Sequence, residues 1–507
     1  MSSVRGQPYP VSWVVGLSLA VVKGNETWTR GFGLADKGSG RPVTSSTLFG
    51  IASLSKAFTA TLLGILIDES KGKYTWQTPL KDILGRDFQL VDWFLSNQGT
   101  IKDILLHRTG LFNTNVPQYA GFPDTLTRKE FTSQLRYLPM ATSPRDAWSY
   151  NNWMYALAGR VAEVMGKASW EELLQTRIYQ PLQMTDSRVL GHDVQVTDNK
   201  MALPYVQLGN DLVLSDSSMY RIWPEEPAGA VASTADDMAR WMSFNLQGGV
   251  TSQGVPLLDK KIIQDILSPQ IIVSPAFLKP KIKRPQFPAT FNSFGYGFGW
   301  FSASYRGYQV TWHSGGIYSY ISYVTLIRDL NIGIYISTNG PGNSSSSVTY
   351  NEVFYYIADL LLGEEPWLTT ANACQFPRPW NNATSQASNN SVIVPGTIEN
   401  PQFYEGDYNN KLFGDIKISR NGSGELVVDY GRLTGMLRKT SGSGVLMMEV
   451  FGPMRFLTRR GDDTIYINMT FTDPDRRGRY QELHVSAPDL GDTDILLYER
   501  NSKYWEE

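Results

Sequence analysis

The sequence predicts an α+β fold followed by a small antiparallel β-barrel, and three observations carry that expectation. Apolar residues alternate with a period of two near residue 16, take helical spacing from about residue 53, and return to a period of two between Gly295 and Thr338. A stretch rich in Pro, Asn, Ser and Thr, without any period, occupies 364–400 and reads as a linker. Beyond it, short alternating runs separated by Gly, Asn, Asp and Pro recur at barrel or sandwich spacing. The expected division is 1–363, a linker 364–400, and a barrel over 401–507.

Taken in chain order, Val11 to Val22 is an apolar run that reads as a strand and not as a signal peptide. No small-x-small cleavage site follows it, and Lys23-Gly24-Asn25-Glu26 is a turn, so Gly16 to Gly33 reads as two strands of a β-hairpin around it. A cytoplasmic location is favoured over secretion, and the sequence leaves both open. Phe58, Leu62, Ile65 and Leu66 form one stripe of a helix that starts near Ser53 and stops at Ser70-Lys71-Gly72. Further helical patterns cover Ile101 to Leu106, Trp153 to Met165, Trp170 to Ile178 and Thr234 to Leu246. Strands follow at Gln309 to His313, Ser322 to Arg328 and Ile332 to Thr338, then a helix over Val353 to Leu362. Barrel strands are expected at Asp415 to Ser419, Glu425 to Tyr430, Met436 to Lys439, Val445 to Val450, Thr464 to Phe471 and Tyr480 to Val485.

Composition excludes several functions. Over 507 residues, 46 basic and 48 acidic side chains leave a net charge of −2, with no basic surplus for phosphates, so no nucleic-acid partner is expected. No apolar stretch reaches bilayer length, so no membrane partner is expected either. A single cysteine, Cys374, and four histidines without a Cys/His cluster leave no internal disulfide and no recognisable metal site, and no cofactor is expected. Charged residues make 19%, below the roughly 25% of an average domain, while aromatics reach 12%.

Three short constellations can do chemistry. Ser53-Leu54-Ser55-Lys56 places a hydroxyl in the first turn of an apolar helix and an amine three residues later on the same face. Lys56 shares its stripe with Ala60, Leu63 and Ile67, where an isolated ammonium is costly, so the amine must be paired or neutral; either state suits activation of a neighbouring serine. The same spacing recurs at Ser70 to Lys73, beyond the helix stop. Tyr150-Asn151-Asn152 precedes the helix from Trp153, with a phenol able to carry a proton and the Asn152 amide able to meet a substrate amide. Its repeat, Tyr408-Asn409-Asn410, falls in the barrel and reads as a turn. Finally, Trp312-His313-Ser314-Gly315-Gly316 ends a predicted strand, where two glycines let a ligand lie against the backbone.

In this order, with about 95 and about 160 residues between them, the three elements resemble the serine penicillin-recognising family of class C β-lactamases, DD-peptidases, D-aminopeptidases and related esterases. The stretches Leu48 to Lys56, Ile104 to Leu111, Trp148 to Tyr155 and Pro227 to Ala239 share the resemblance, which covers roughly 15–362. It implies a β-lactamase/DD-peptidase-like domain, an antiparallel sheet flanked by helices with an all-α subdomain. It also implies Ser53 as the acylated nucleophile, Lys56 in its deprotonation and Tyr150 as the proton shuttle. Asn152 would orient the acyl side, and the backbone N–H groups of Ser53 and Gly316 would form an oxyanion hole, where one donor is worth about 3 to 4 kcal/mol. His313, with Ser314 and Gly315, stands where many members carry a lysine. The C-terminal runs resemble the lipocalin-like barrel appended to some members.

The function expected is a serine hydrolase acting through an acyl-enzyme on an ester or amide of a small molecule or short peptide. An acyltransferase or transesterase of specialised metabolism would use the same centre, with an alcohol or amine replacing water. A non-catalytic binding protein has no evident use for Ser53, Lys56, Tyr150 and Asn152 together. Replacement of lysine by His313 and the near-zero net charge favour a neutral or apolar substrate. Trp148, Trp153, Trp223, Tyr205, Tyr318 and Tyr320 near the motif loops would suit a bulky acyl group, and Lys279, Lys281, Lys283 and Arg284 form a charged insertion.

Overall fold

The hairpin expected around Gly24-Asn25 forms, with Gly16–Lys23 and Glu26–Asp36 paired antiparallel from Gly16 opposite Gly33 to Lys23 opposite Glu26. In this computed structural model the described residues are 14–501 except 210, 274–286, 343, 370, 378–379, 381–392, 461–462, 465 and 489–491. The lysine-bearing insertion lies outside them. The chain divides into two units that each draw on several stretches. One comprises Met1–Asp68, Glu171–Val206 and Gly229–Ser385; the other comprises Glu69–Trp170, Gln207–Ala228 and Gln386–Glu507.

The first unit is built on a nine-stranded antiparallel sheet. Its order is Arg41–Pro42, Glu26–Asp36, Gly16–Lys23, Ile332–Thr338, Tyr320–Ile327, Tyr308–Ile317, Phe301–Tyr305, Phe291–Tyr296 and Ile271–Ile272. Every residue of Ile332–Thr338 is buried, because helices Ala235–Leu246 and Ser344–Leu362 both pack on this strand. Helix Ser55–Glu69 is buried from Ser55 through Ile67, the signature of a core helix. Phe58 stacks on Trp241 with ring centroids 3.9 Å apart and meets the edge of Tyr179 at 6.1 Å. The helix ends where expected, at Lys71 and Gly72, both with left-handed backbone.

The second unit joins the helices Leu80–Leu84, Trp93–Gln98, Ile101–Leu105, Val116–Ala120, Arg128–Gln134 and Asn152–Gly166 to the barrel. Arg128, buried, pairs with Glu163 and Glu226 of this unit. Eight antiparallel strands close the barrel: Gly406–Asn410, Gly414–Arg420, Leu426–Tyr430, Leu433–Lys439, Val445–Phe451, Ile467–Pro474, Tyr480–Ala487 and Asp492–Arg500. This matches the lipocalin-like expectation and adds a first and a last strand to the six read from sequence.

Several expectations need correction. Tyr408 is not in a turn: it lies in the first barrel strand, fully buried, and its hydroxyl donates to Tyr404 O at 3.0 Å. The strand expected to end at His313 continues to Ile317, so Ser314, Gly315 and Gly316 are strand residues. The helix from Trp170 gives way after Leu174 to a wider turn over Gln175–Tyr179. Four of the six aromatics offered as pocket lining, Trp148, Trp153, Tyr205 and Tyr320, are buried core side chains. The start of the proline-rich stretch is packed: Trp367 stacks on Phe287, and its Nε1 donates to Tyr305 Oη at 3.2 Å. No helix among the described residues is long and apolar enough to cross a membrane.

Candidate active site

Ser53 and Lys56 are brought together by a tight turn ahead of the core helix. Ala52–Leu54 is one 3₁₀ turn and the α-helix begins at Ser55, so Ser53 is half-buried at the mouth of the helix. Lys56 Nζ donates to Ser53 Oγ at 3.1 Å, and Lys56 itself is buried. The turn is held rigidly. Ile51 N–H donates to Val231 O at 2.9 Å, Val231 N–H donates to Ser55 Oγ at 2.9 Å, and Ser55 Oγ donates to Ala52 O at 2.6 Å. Ala52 has φ +48, an unfavourable value for a residue with a Cβ, immediately before the serine.

Strand Tyr308–Ile317 lies against that turn. A Cβ on Gly315 would fall 2.2 Å from Ile51 O, so only glycine permits the approach, and Ser322 Oγ on the neighbouring strand donates to Ile51 O at 2.6 Å. Pairing with Tyr320–Ile327 runs from Thr311 to Ile317, whereas pairing with Phe301–Tyr305 stops at Trp312. Residues His313 to Ile317 therefore have a strand partner on one side only, and Gly316 is exposed there.

His313 is 2% exposed. Burial, with the nearby positive charge of Lys56, pushes its pKa from the usual 6.5 down to about 3, against the opposing hydrogen bond to Ser314 O. The ring is neutral at physiological pH. Because Ser314 O at 2.6 Å can only accept, Nδ1 carries the proton; Nε2 then accepts from Tyr296 Oη at 3.2 Å.

Tyr150 and Asn152 belong to the second unit. Asn151 is the N-cap of helix Asn152–Gly166, accepting from Met154 N–H at 3.3 Å. Its own N–H donates to His107 Nδ1 at 2.9 Å, and its Nδ2 donates to Leu111 O at 3.2 Å and Phe112 O at 2.8 Å. The Tyr150 ring packs on His107, centroids 4.4 Å apart. The loop leading to Tyr150 is anchored by Arg145, whose Nη2 pairs with buried Asp103 at 2.7 Å. Burial works against the Asp103 carboxylate, but Arg145 and Arg108 hold its pKa below the usual value.

Asn151 and His107 were not singled out as functional residues in the sequence, although an Asn directly before a helical pattern is an N-cap signal. The second Ser-x-x-Lys resolves into turn chemistry, with Ser70 Oγ accepting from Tyr74 N–H at 3.0 Å and Lys73 over the Tyr74 ring. Among the described residues, no cluster of three or more His, Cys, Asp or Glu side chains is placed to hold a metal ion.

Comparison with known proteins bears on the family and the fold. Residues 10–353 match the protein-family model described as Beta-lactamase. An unguisins hydrolase of Aspergillus campestris is 29% identical over 359 residues, 70% of this chain and 63% of that protein. The chain thus spans less than two thirds of that relative's length. Penicillin-binding protein 4 of Amycolatopsis lactamdurans is 25% identical over 330 residues, covering 64% of this chain and 81% of that protein. The octameric penicillin-binding protein homologue from Pyrococcus abyssi superposes with a TM-score of 0.59 at 18% identity over 96% of both chains, a likeness of fold that includes the barrel.

Proposed function

The chain belongs to the beta-lactamase family, and from that premise we propose that it is a serine hydrolase forming an acyl-enzyme on Ser53. Its substrate is an ester or amide of a neutral or apolar small molecule or short peptide. In the form whose Lys56 amine is uncharged, Ser53 Oγ bonds to the carbonyl carbon as its proton passes to Lys56; the bond to the leaving group then breaks, and Tyr150 delivers a proton to the departing atom. Water next gives up a proton to the same groups, its oxygen bonds to the acyl carbon, and the Ser53 ester breaks with return of a proton to Oγ. Asn152 orients the acyl side. The N–H groups of Ser53 and Gly316 take the charge on the carbonyl oxygen, and His313, Ser314 and Gly315 form the strand along which substrate lies.

The observation that carries this reading is the 3.1 Å contact between Ser53 Oγ and Lys56 Nζ at the start of a buried helix. The neutral, buried His313 supports the choice of substrate, since a carboxylate would meet no permanent cation from that position. Hydrolysis, the activity in the name of the Aspergillus relative, supports water over an alcohol or amine as acceptor. Turnover of p-nitrophenyl esters tests the proposal. Ser53→Ala is expected to abolish it, and Lys56→Ala to lower kcat/KM by about 10² to 10⁴. Undiminished turnover by Ser53→Ala overturns the proposal, and acyl products that shift from acid to ester or amide with added alcohols or amines would assign a transferase instead.

A further inference from the structure

Gly431-Arg432 is the two-residue turn between barrel strands Leu426–Tyr430 and Leu433–Lys439, and Tyr430 pairs with Leu433 across it. The Arg432 side chain points out of the barrel onto main-chain oxygens of the helical part of the same unit. Nε donates to Tyr119 O at 2.9 Å and Nη2 to Gln118 O at 2.8 Å, while Nη1 donates to Ser218 O at 2.7 Å and Arg221 O at 3.3 Å. Its backbone N–H donates to Ala120 O at 2.8 Å. Gln118, Tyr119 and Ala120 supply the terminal carbonyls of helix Val116–Ala120, where intrahelical partners run out and a cation is favoured. Gly431 is needed for the fit: its φ is +56, and a Cβ there would fall 2.3 Å from Ala120 O.

The other end of this segment holds the Tyr150 edge. Asn151 binds the carbonyls of Leu111 and Phe112, Asn152 N–H donates to Asn113 Oδ1 at 3.4 Å, and Trp153 Nε1 donates to Thr114 O at 3.1 Å. Residues 111–120 are thus fixed by Asn151 to Trp153 at one end and by a barrel arginine at the other. We infer that Arg432 is a positioning residue for Tyr150 and Asn152, acting through 111–120, so that the barrel takes part in delivering a proton to the leaving group. The inference rests on the proposed acyl-enzyme function.

Leaving groups separate this role from a purely structural one. Phosphonylation of Ser53 by a fluorophosphonate expels fluoride, which needs no proton from Tyr150. A p-nitrophenyl ester expels a stable phenolate, whereas the p-nitroanilide of the same acyl group must be protonated at nitrogen as its C–N bond breaks. In the full chain, Arg432→Ala is expected to label within about threefold of the wild-type rate but to lose at least about tenfold in anilide turnover, with the ester between. Arg432→Lys returns a cation to the helix end with fewer donors. It is expected to show the same order of losses, smaller in size, and it decides the matter if the alanine variant does not fold. A parallel fall in all three rates, or an unchanged anilide rate, overturns the inference. Failure of the wild type to label would instead overturn the acyl-enzyme reading.

Discussion

His313 is the residue through which the chemistry of this site departs furthest from a lysine-bearing one. Folded, its ring stays neutral down to about pH 3 because it is buried beside Lys56; unfolded, it takes a proton near 6.5. Between those values the unfolded chain binds more protons, so the stability tied to His313 is present above pH 6.5 and is lost as pH falls toward 3. Urea unfolding of His313→Gln is therefore expected to depend less steeply on pH than the wild type across that window. Equal slopes would contradict the assignment. Ser53, Lys56 and His313 were legible in the sequence because each interrupts an apolar pattern with a group that needs a reason to be there. Asn151 and His107 were not, since their value lies in hydrogen bonds spanning about 40 residues of chain, which local pattern does not record.

At the scale of the element, the strand Tyr308–Ile317 and the turn before the core helix depend on each other. Gly315→Ala puts a Cβ against Ile51 O with nowhere to move, while a Cβ on Gly316 would meet only the tip of Ile321 at 3.3 Å. Gly315→Ala is expected to destabilise the fold by about 1 to 3 kcal/mol and to reduce ester turnover, with Gly316→Ala much milder in stability. Denaturant midpoints with comparable losses for both would contradict the close-approach account. The sequence showed this strand only as far as His313, because two glycines read as a stop. The sheet carries them through, with Tyr320–Ile327 supplying the pairing that glycine lacks on its own. The same reasoning explains the first barrel strand, where Asn409 and Asn410 have low strand propensity and read as a turn, although pairing of Asn409 on both sides and of Asn410 with Gly414 places them in the ladder. The helices Leu80–Leu84 and Arg128–Gln134, five and seven residues long, were not read from the sequence, whereas the equally short Ile101–Leu105 was.

At the scale of the whole molecule, the α+β character, the closed barrel and the family were readable, because periodicity and motif order are properties of the chain. The grouping of the helices Leu80–Leu84 to Asn152–Gly166 with the barrel was not, since it rests on contacts between stretches hundreds of residues apart, Arg432 on Gln118 and Tyr119 above all. On the proposed function, Ser53 is the one activated serine of the chain. The most direct test is the intact mass and peptide map of the full chain after reaction with a fluorophosphonate. A single adduct on the peptide carrying Ser53, absent from Ser53→Ala, is the result expected; no adduct, or one that persists in Ser53→Ala, would contradict it.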